Sequence, residues 1–65
     1  SVYRVSFPYE SMNAVMKTVK ELELEVQNPA FEMTCELEVE VRDAQKEIFL
    51  EKCSRGEGVE IVCLS

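Results

Sequence analysis

The chain has 65 residues with 13 acidic and 7 basic side chains, a formal net charge of −6, and no histidine. That balance opposes phosphate backbones and anionic membrane surfaces, which select Lys and Arg clusters, and it removes His-based acid–base chemistry and His metal ligation. Apolar residues make up 46% of the sequence, too hydrophobic a mix for a disordered chain.

A chain this short buries only about 60% of the surface its unfolded form exposes. A neighbouring domain or a homodimer is therefore an expected source of added stability. The sequence opens on Ser1, and a strand pattern begins at Val2. We expect residues 1–65 to be a single domain, the C-terminal piece of a longer protein. The three cysteines, Cys35, Cys53 and Cys63, are odd in number, widely spaced and placed at apolar positions. This predicts buried free thiols in a reducing, cytoplasmic setting. No apolar run approaches the roughly 18 residues of a membrane span.

In chain order, VYRVSFP alternates, with Tyr3, Val5 and Phe7 on one side and Val2, Arg4 and Ser6 on the other. That is a half-buried strand, ended by Pro8. SMNAVMKTVKELEL then changes to helical spacing. Met12, Val15, Met16, Val19 and Leu22 or Glu23 fall on one stripe, with Ser11 as the predicted N-cap. Asn28-Pro29 interrupts a short strand near Glu25–Asn28 that resumes around Phe31. A strand holding proline belongs at a sheet edge.

CELEVEVR is the longest alternating run, with Cys35, Leu37, Val39 and Val41 facing one way and Glu36, Glu38, Glu40 and Arg42 the other. It is predicted to be a central strand. Asp43 is the expected cap of a second helix, AQKEIFLEKCSRG, with an inner stripe of Ala44, Ile48, Phe49 and Cys53 or Lys52 and a stop at Gly56. VEIVCLS closes the chain as a strand, with Val59, Ile61 and Cys63 on one side and Glu60, Val62 and Leu64 on the other.

The order βαββαβ predicts an α+β, ferredoxin-like plan: a four-stranded antiparallel sheet, order 4-1-3-2, with two helices on one face. The opposite face then carries Val2, Arg4, Ser6, the three glutamates of the third strand, Glu60, Val62 and Leu64. The candidate interaction residues are Val2, Arg4, Val62 and Leu64, an apolar patch and one cation beside acid.

This face lacks the aromatic platform on which RNA-recognition motifs of the same topology stack bases, so RNA contact by this domain is not expected. No CxxC pair is present, and the glutamate row lies on a flat strand face with no evident pocket. Gly56 and Gly58 close a helix and do not open one, so no phosphate-cradling loop is read here. The expectation is a non-catalytic domain without cofactor or metal.

Several of these segments resemble the C-terminal ferredoxin-like domain of the YigZ/IMPACT family. They are the first strand leading to Tyr9 before a helix, Phe31 ahead of the third strand, the alternating run Leu37 to Val41, and Phe49 in a helix that runs into Ser54, Arg55 and Gly56. The resemblance implies an accessory module of a cytoplasmic protein linked to translation regulation. Its partner would be an S5-like N-terminal domain of the same parent chain. Two other readings use the same topology. One is an ACT-type small-molecule-sensing domain, against which the glycine-free loop Pro8–Ser11 counts. The other is a weak nucleic-acid-binding module built on Lys17, Lys20, Lys46, Lys52 and Arg55.

Overall fold

The computed structural model describes residues 1–65. It places β1 (Val2–Pro8), α1 (Met12–Glu21), β2 (Val26–Phe31), β3 (Thr34–Glu40), α2 (Lys46–Ser54) and β4 (Glu60–Cys63). A 3-10 turn precedes each helix, at Tyr9–Ser11 and Asp43–Gln45. The fold is α+β, with four antiparallel strands in the order β2-β3-β1-β4, which is 4-1-3-2 when read from the β4 edge.

The core follows from strand alternation. Tyr3, Val5 and Phe7 pair across β1 and β3 with Val39, Leu37 and Cys35, and all six side chains are buried. Val15 and Val19 of α1 and Phe49 and Cys53 of α2 join them in one cluster, so both helices cover the same sheet face. Fully burying a side chain such as Phe7, Leu37 or Phe49 contributes roughly 1.5–3 kcal/mol. The ring centroids of Tyr3 and Phe49 lie 5.5 Å apart in a tilted arrangement that fixes α2 over β1.

Helix ends are where the structure departs from the sequence expectations. α1 stops at Glu21, not near Leu24. Glu23 adopts φ 54°, and the Leu24 and Glu23 N–H groups donate to the carbonyls of Val19 (2.9 Å) and Lys20 (3.2 Å). These are the six-to-one and five-to-two bonds that close a helix around a left-handed residue, a position that usually holds glycine. Ser11 stands at the N-cap of α1, but its hydroxyl makes no cap bond. Asp43 does not cap α2 either: it opens the 3-10 turn, and Gln45 holds the cap position.

The inner stripe of α2 is therefore narrower than expected. Ala44 precedes the helix and is exposed, Ile48 is 41% exposed, and Phe49 and Cys53 carry the contact with help from Leu50. Gly56 follows the helix as expected, for a different reason. A Cβ there would sit 2.6 Å from Val59 Cγ2, so close packing, not a left-handed backbone, requires glycine. The residue with φ 73° is Gly58.

β2 runs continuously from Val26 to Phe31 through Pro29, at the sheet edge, with a register shift between Gln27 and Ala30 and with Asn28 at φ 49°. Both features are ways an edge strand absorbs a proline. The cysteines also divide. Cys35 and Cys53 are buried free thiols, whereas Cys63 is exposed. Cys63 faces the helix side opposite Tyr3, but on the outermost strand no helix covers it.

Candidate interaction face

The sheet face away from the helices is a grid set by strand register. Arg4 stands between Val62 of β4 and Glu38 of β3, and Glu38 in turn faces Gln27 of β2. The neighbouring row is Glu60, Ser6, Glu36 and Ala30. In the third row Val2 faces Glu40, and the Leu64 N–H donates to the Val2 carbonyl at 2.7 Å. The four candidate residues therefore form two adjacent cross-strand pairs, Val2 with Leu64 and Arg4 with Val62. Val62 is 52% exposed and Leu64 41%.

Charge on this face is unevenly compensated. Arg4 Nε lies 3.7 Å from Glu36 Oε1, and Arg4 Nη2 lies 3.5 Å from Glu38 Oε2. Both separations exceed a close hydrogen bond, and exposed pairs of this kind contribute a few tenths of a kcal/mol. Asn28 Nδ2 also donates to Glu38 Oε1 at 3.2 Å. Glu40 and Glu60 have no cation within ion-pair distance. Carboxylates two residues apart on a strand are about 7 Å apart, and each such pair repels by roughly half a kcal/mol in a water-like dielectric. Arg4 offsets that repulsion for Glu36 and Glu38 and leaves Glu40 uncompensated.

One end of the sheet holds a half-open cleft of about 600 Å³ between the α1–β2 turn and the β3–α2 connection. Glu23, Glu25, Glu40 and Asp43 line it with Arg42. Gln45 Nε2 spans the connection by donating to the Leu22 carbonyl at 3.3 Å. No group of three or more Cys, Asp or Glu side chains in the chain is arranged to hold a metal ion. The cleft brings four carboxylates together beside Arg42 and Ser1.

The helix cations do not form a patch free of acid. Lys52 Nζ donates to Glu21 Oε2 at 2.9 Å, and Arg55 Nη2 to Glu51 Oε1 at 3.0 Å. Sequence reasoning also missed a second exposed apolar group. Tyr9 (69% exposed), Phe31 (51%) and Met33 (94%) lie at the Pro8–Thr34 end of the sheet. The signal was present in the short FEM turn, where two large apolar residues flank Glu32 in a hairpin too tight to be covered.

No helix is long and apolar enough to cross a membrane. No protein-family model, curated protein or solved structure matches the chain.

Proposed function

We propose that this chain is a non-catalytic interaction module of ferredoxin-like plan that docks a partner on its open sheet face. The observation that carries the reading is the apolar pair Val62 and Leu64, exposed beside Val2 and bordered by a glutamate column that Arg4 only half compensates. The occupant that fits is a protein surface with a few apolar side chains framed by Lys or Arg. Such a surface relieves the repulsion around Glu40 while covering the valine and leucine. Exposed apolar residues grouped beside polar ones mark interaction sites more often than scattered ones do.

The element order and the central placement of β1 and β3 support the ferredoxin-like assignment. The motifs at Tyr9, Phe31, Leu37–Val41, Phe49 and Ser54–Gly56 support a YigZ/IMPACT-like parent protein, cytoplasmic and linked to translation regulation. In that setting the partner is the neighbouring S5-like domain. This family reading rests on those motifs alone. The face itself disfavours RNA as the occupant, because its central strands present Val2, Arg4 and Ser6 beside Glu36, Glu38 and Glu40, with no aromatic side chain.

The test is a nitrogen-15 NMR titration with two amphipathic peptides of equal leucine content, one carrying lysine and the other glutamate. Shifts confined to the open-face residues of β1, β3 and β4, seen with the lysine peptide only and lost in Val62→Ser with Leu64→Ser, support the reading. Equal response to both peptides, or shifts centred on the helices, would sink it.

A further inference from the structure

The two edges of the sheet are built differently. The β2 edge carries Pro29, which has no N–H to donate, Asn28 at φ 49° and a register shift, devices that hinder pairing with a further strand. The β4 edge, Glu60–Cys63, has no proline, lysine or bulge. Its residues include exposed Val62 and Cys63 and half-buried Ile61.

We propose that β4 pairs with β4 of a second copy of this chain, joining two four-stranded sheets into one of eight. The pairing is antiparallel about a two-fold axis through Val62. This goes beyond the open-face reading, because the seam is made by backbone groups of an edge and not by the glutamate face.

Backbone geometry selects the register. Hydrogen-bonded and non-bonded pairs alternate along an antiparallel ladder. The Leu64 N–H donates to Val2 O, so Val62 opposite Arg4 and Glu60 opposite Ser6 also bond inward to β1. Ile61 and Cys63 are then the residues whose N–H and C=O point out of the sheet. A two-fold axis at Val62 sets Ile61 of each copy against Cys63 of the other, and all of these outward groups are satisfied within β4. An axis at Ile61 or at Cys63 would instead pair one of the two with Val59 or Ser65, outside the strand.

Side chains agree with that register. Val62 meets its own symmetry mate, and Leu64 meets Glu60, so the single charge in β4 never faces another carboxylate. Val62 and Leu64 of both copies form one apolar centre on the joined face. Repulsion between two chains of net charge −6 acts over a Debye length of about 8 Å at physiological salt, so added salt tightens the dimer.

Sedimentation equilibrium of the 65-residue chain tests this. The expected species is twice the 7.5 kDa chain mass, populated more at higher concentration and higher salt. Cys63→Pro removes one outward N–H and no bond to β1, and Val62→Lys sets two ammonium groups face to face. Each should weaken the dimer at least tenfold, roughly, with the circular dichroism of the monomer unchanged. In a Cys63→Ser background, Val62→Cys brings two sulfurs opposite each other at Cα separations of about 4.5–5.5 Å, within disulfide reach. Oxidation should give a folded covalent dimer. A chain that stays monomeric to about 1 mM, a dimer that both Cys63→Pro and Val62→Lys leave intact, or a Val62→Cys pair that does not close overturns the proposal.

Discussion

Ser11 donates its hydroxyl to the carbonyl of Glu57 at 2.6 Å, across 46 positions of sequence, and makes no bond to the helix it precedes. The bond ties the start of α1 to the loop between α2 and β4, and Ser11 is only 6% exposed. Ser11→Ala removes the donor and leaves a sheltered carbonyl unpaired. The expected loss is about 1–2 kcal/mol, read as a lower urea midpoint with an unchanged slope. No change would show that solvent satisfies the Glu57 carbonyl equally well.

Glu23 occupies the left-handed position that closes α1, at φ 54°. A side chain there costs roughly 1–2 kcal/mol, which glycine avoids, although glycine gives part of that back as unfolded-state entropy. Glu23→Gly should stabilise the fold by about 1 kcal/mol. The substitution also removes one carboxylate from the cleft at that end of the sheet, so the gain should be measured at low and high salt. A gain that vanishes in high salt would assign it to charge and not to backbone geometry.

The ion pair between Lys52 and Glu21 links α2 to the end of α1. The hydrogen bond from Lys52, and then its positive charge, hold the Glu21 carboxyl below its ordinary value of 4.5. A folded-state value below the unfolded one gives stability that is present above 4.5 and lost as pH falls through the lowered value. Lys52→Met should return the Glu21 midpoint toward 4.5 in an NMR titration of the side-chain carboxyl. A midpoint that does not move would assign the depression to another group.

The buried thiol of Cys53 titrates in the opposite direction. Removal from water pushes it up from 9.0 to about 11. The unfolded thiol ionises first as pH rises, so stability is full below 9.0 and declines until about 11. Cys53→Ala should remove that component from the alkaline limb of a urea-unfolding series. In the native state at about pH 8 a thiol reagent should label Cys63 alone. Labelling of Cys53 without unfolding would contradict its burial.

The sequence made legible what depends on period and little of what depends on distance. Alternation assigned the inward and outward sides of β1 and β3 correctly, because a strand buried on one face leaves no freedom of register. It also grouped Val2, Arg4, Val62 and Leu64 on one face, and the register makes them neighbours. The end of α1 and the start of α2 were not legible: Glu23 carries no glycine signal, and Asp43 looks like a cap until the 3-10 turn claims it. Ile48 fitted the helical spacing of α2, yet a nine-residue helix on a narrow sheet buries only Phe49 and Cys53 fully. Cys63 had the right alternation and the wrong exposure, since no periodicity reports where the helix layer ends. The Ser11–Glu57 bond is set by tertiary packing alone.

Tyr3 is 3% exposed, and its hydroxyl has no hydrogen-bond partner. Its ring packs on Phe49, so the aromatic body earns its place while the oxygen is desolvated. A buried hydroxyl without a partner costs roughly 1–3 kcal/mol. Tyr3→Phe keeps the ring contact and removes the oxygen. It should raise stability by about 1 kcal/mol, or roughly 4–8 °C in Tm for a chain of this size. Tyr3→Leu, which loses the ring contact with Phe49, should lower stability instead. A destabilised Tyr3→Phe would mean that the hydroxyl finds a partner in solution, and the region between β1, β4 and α2 would then be wetter than its packing implies.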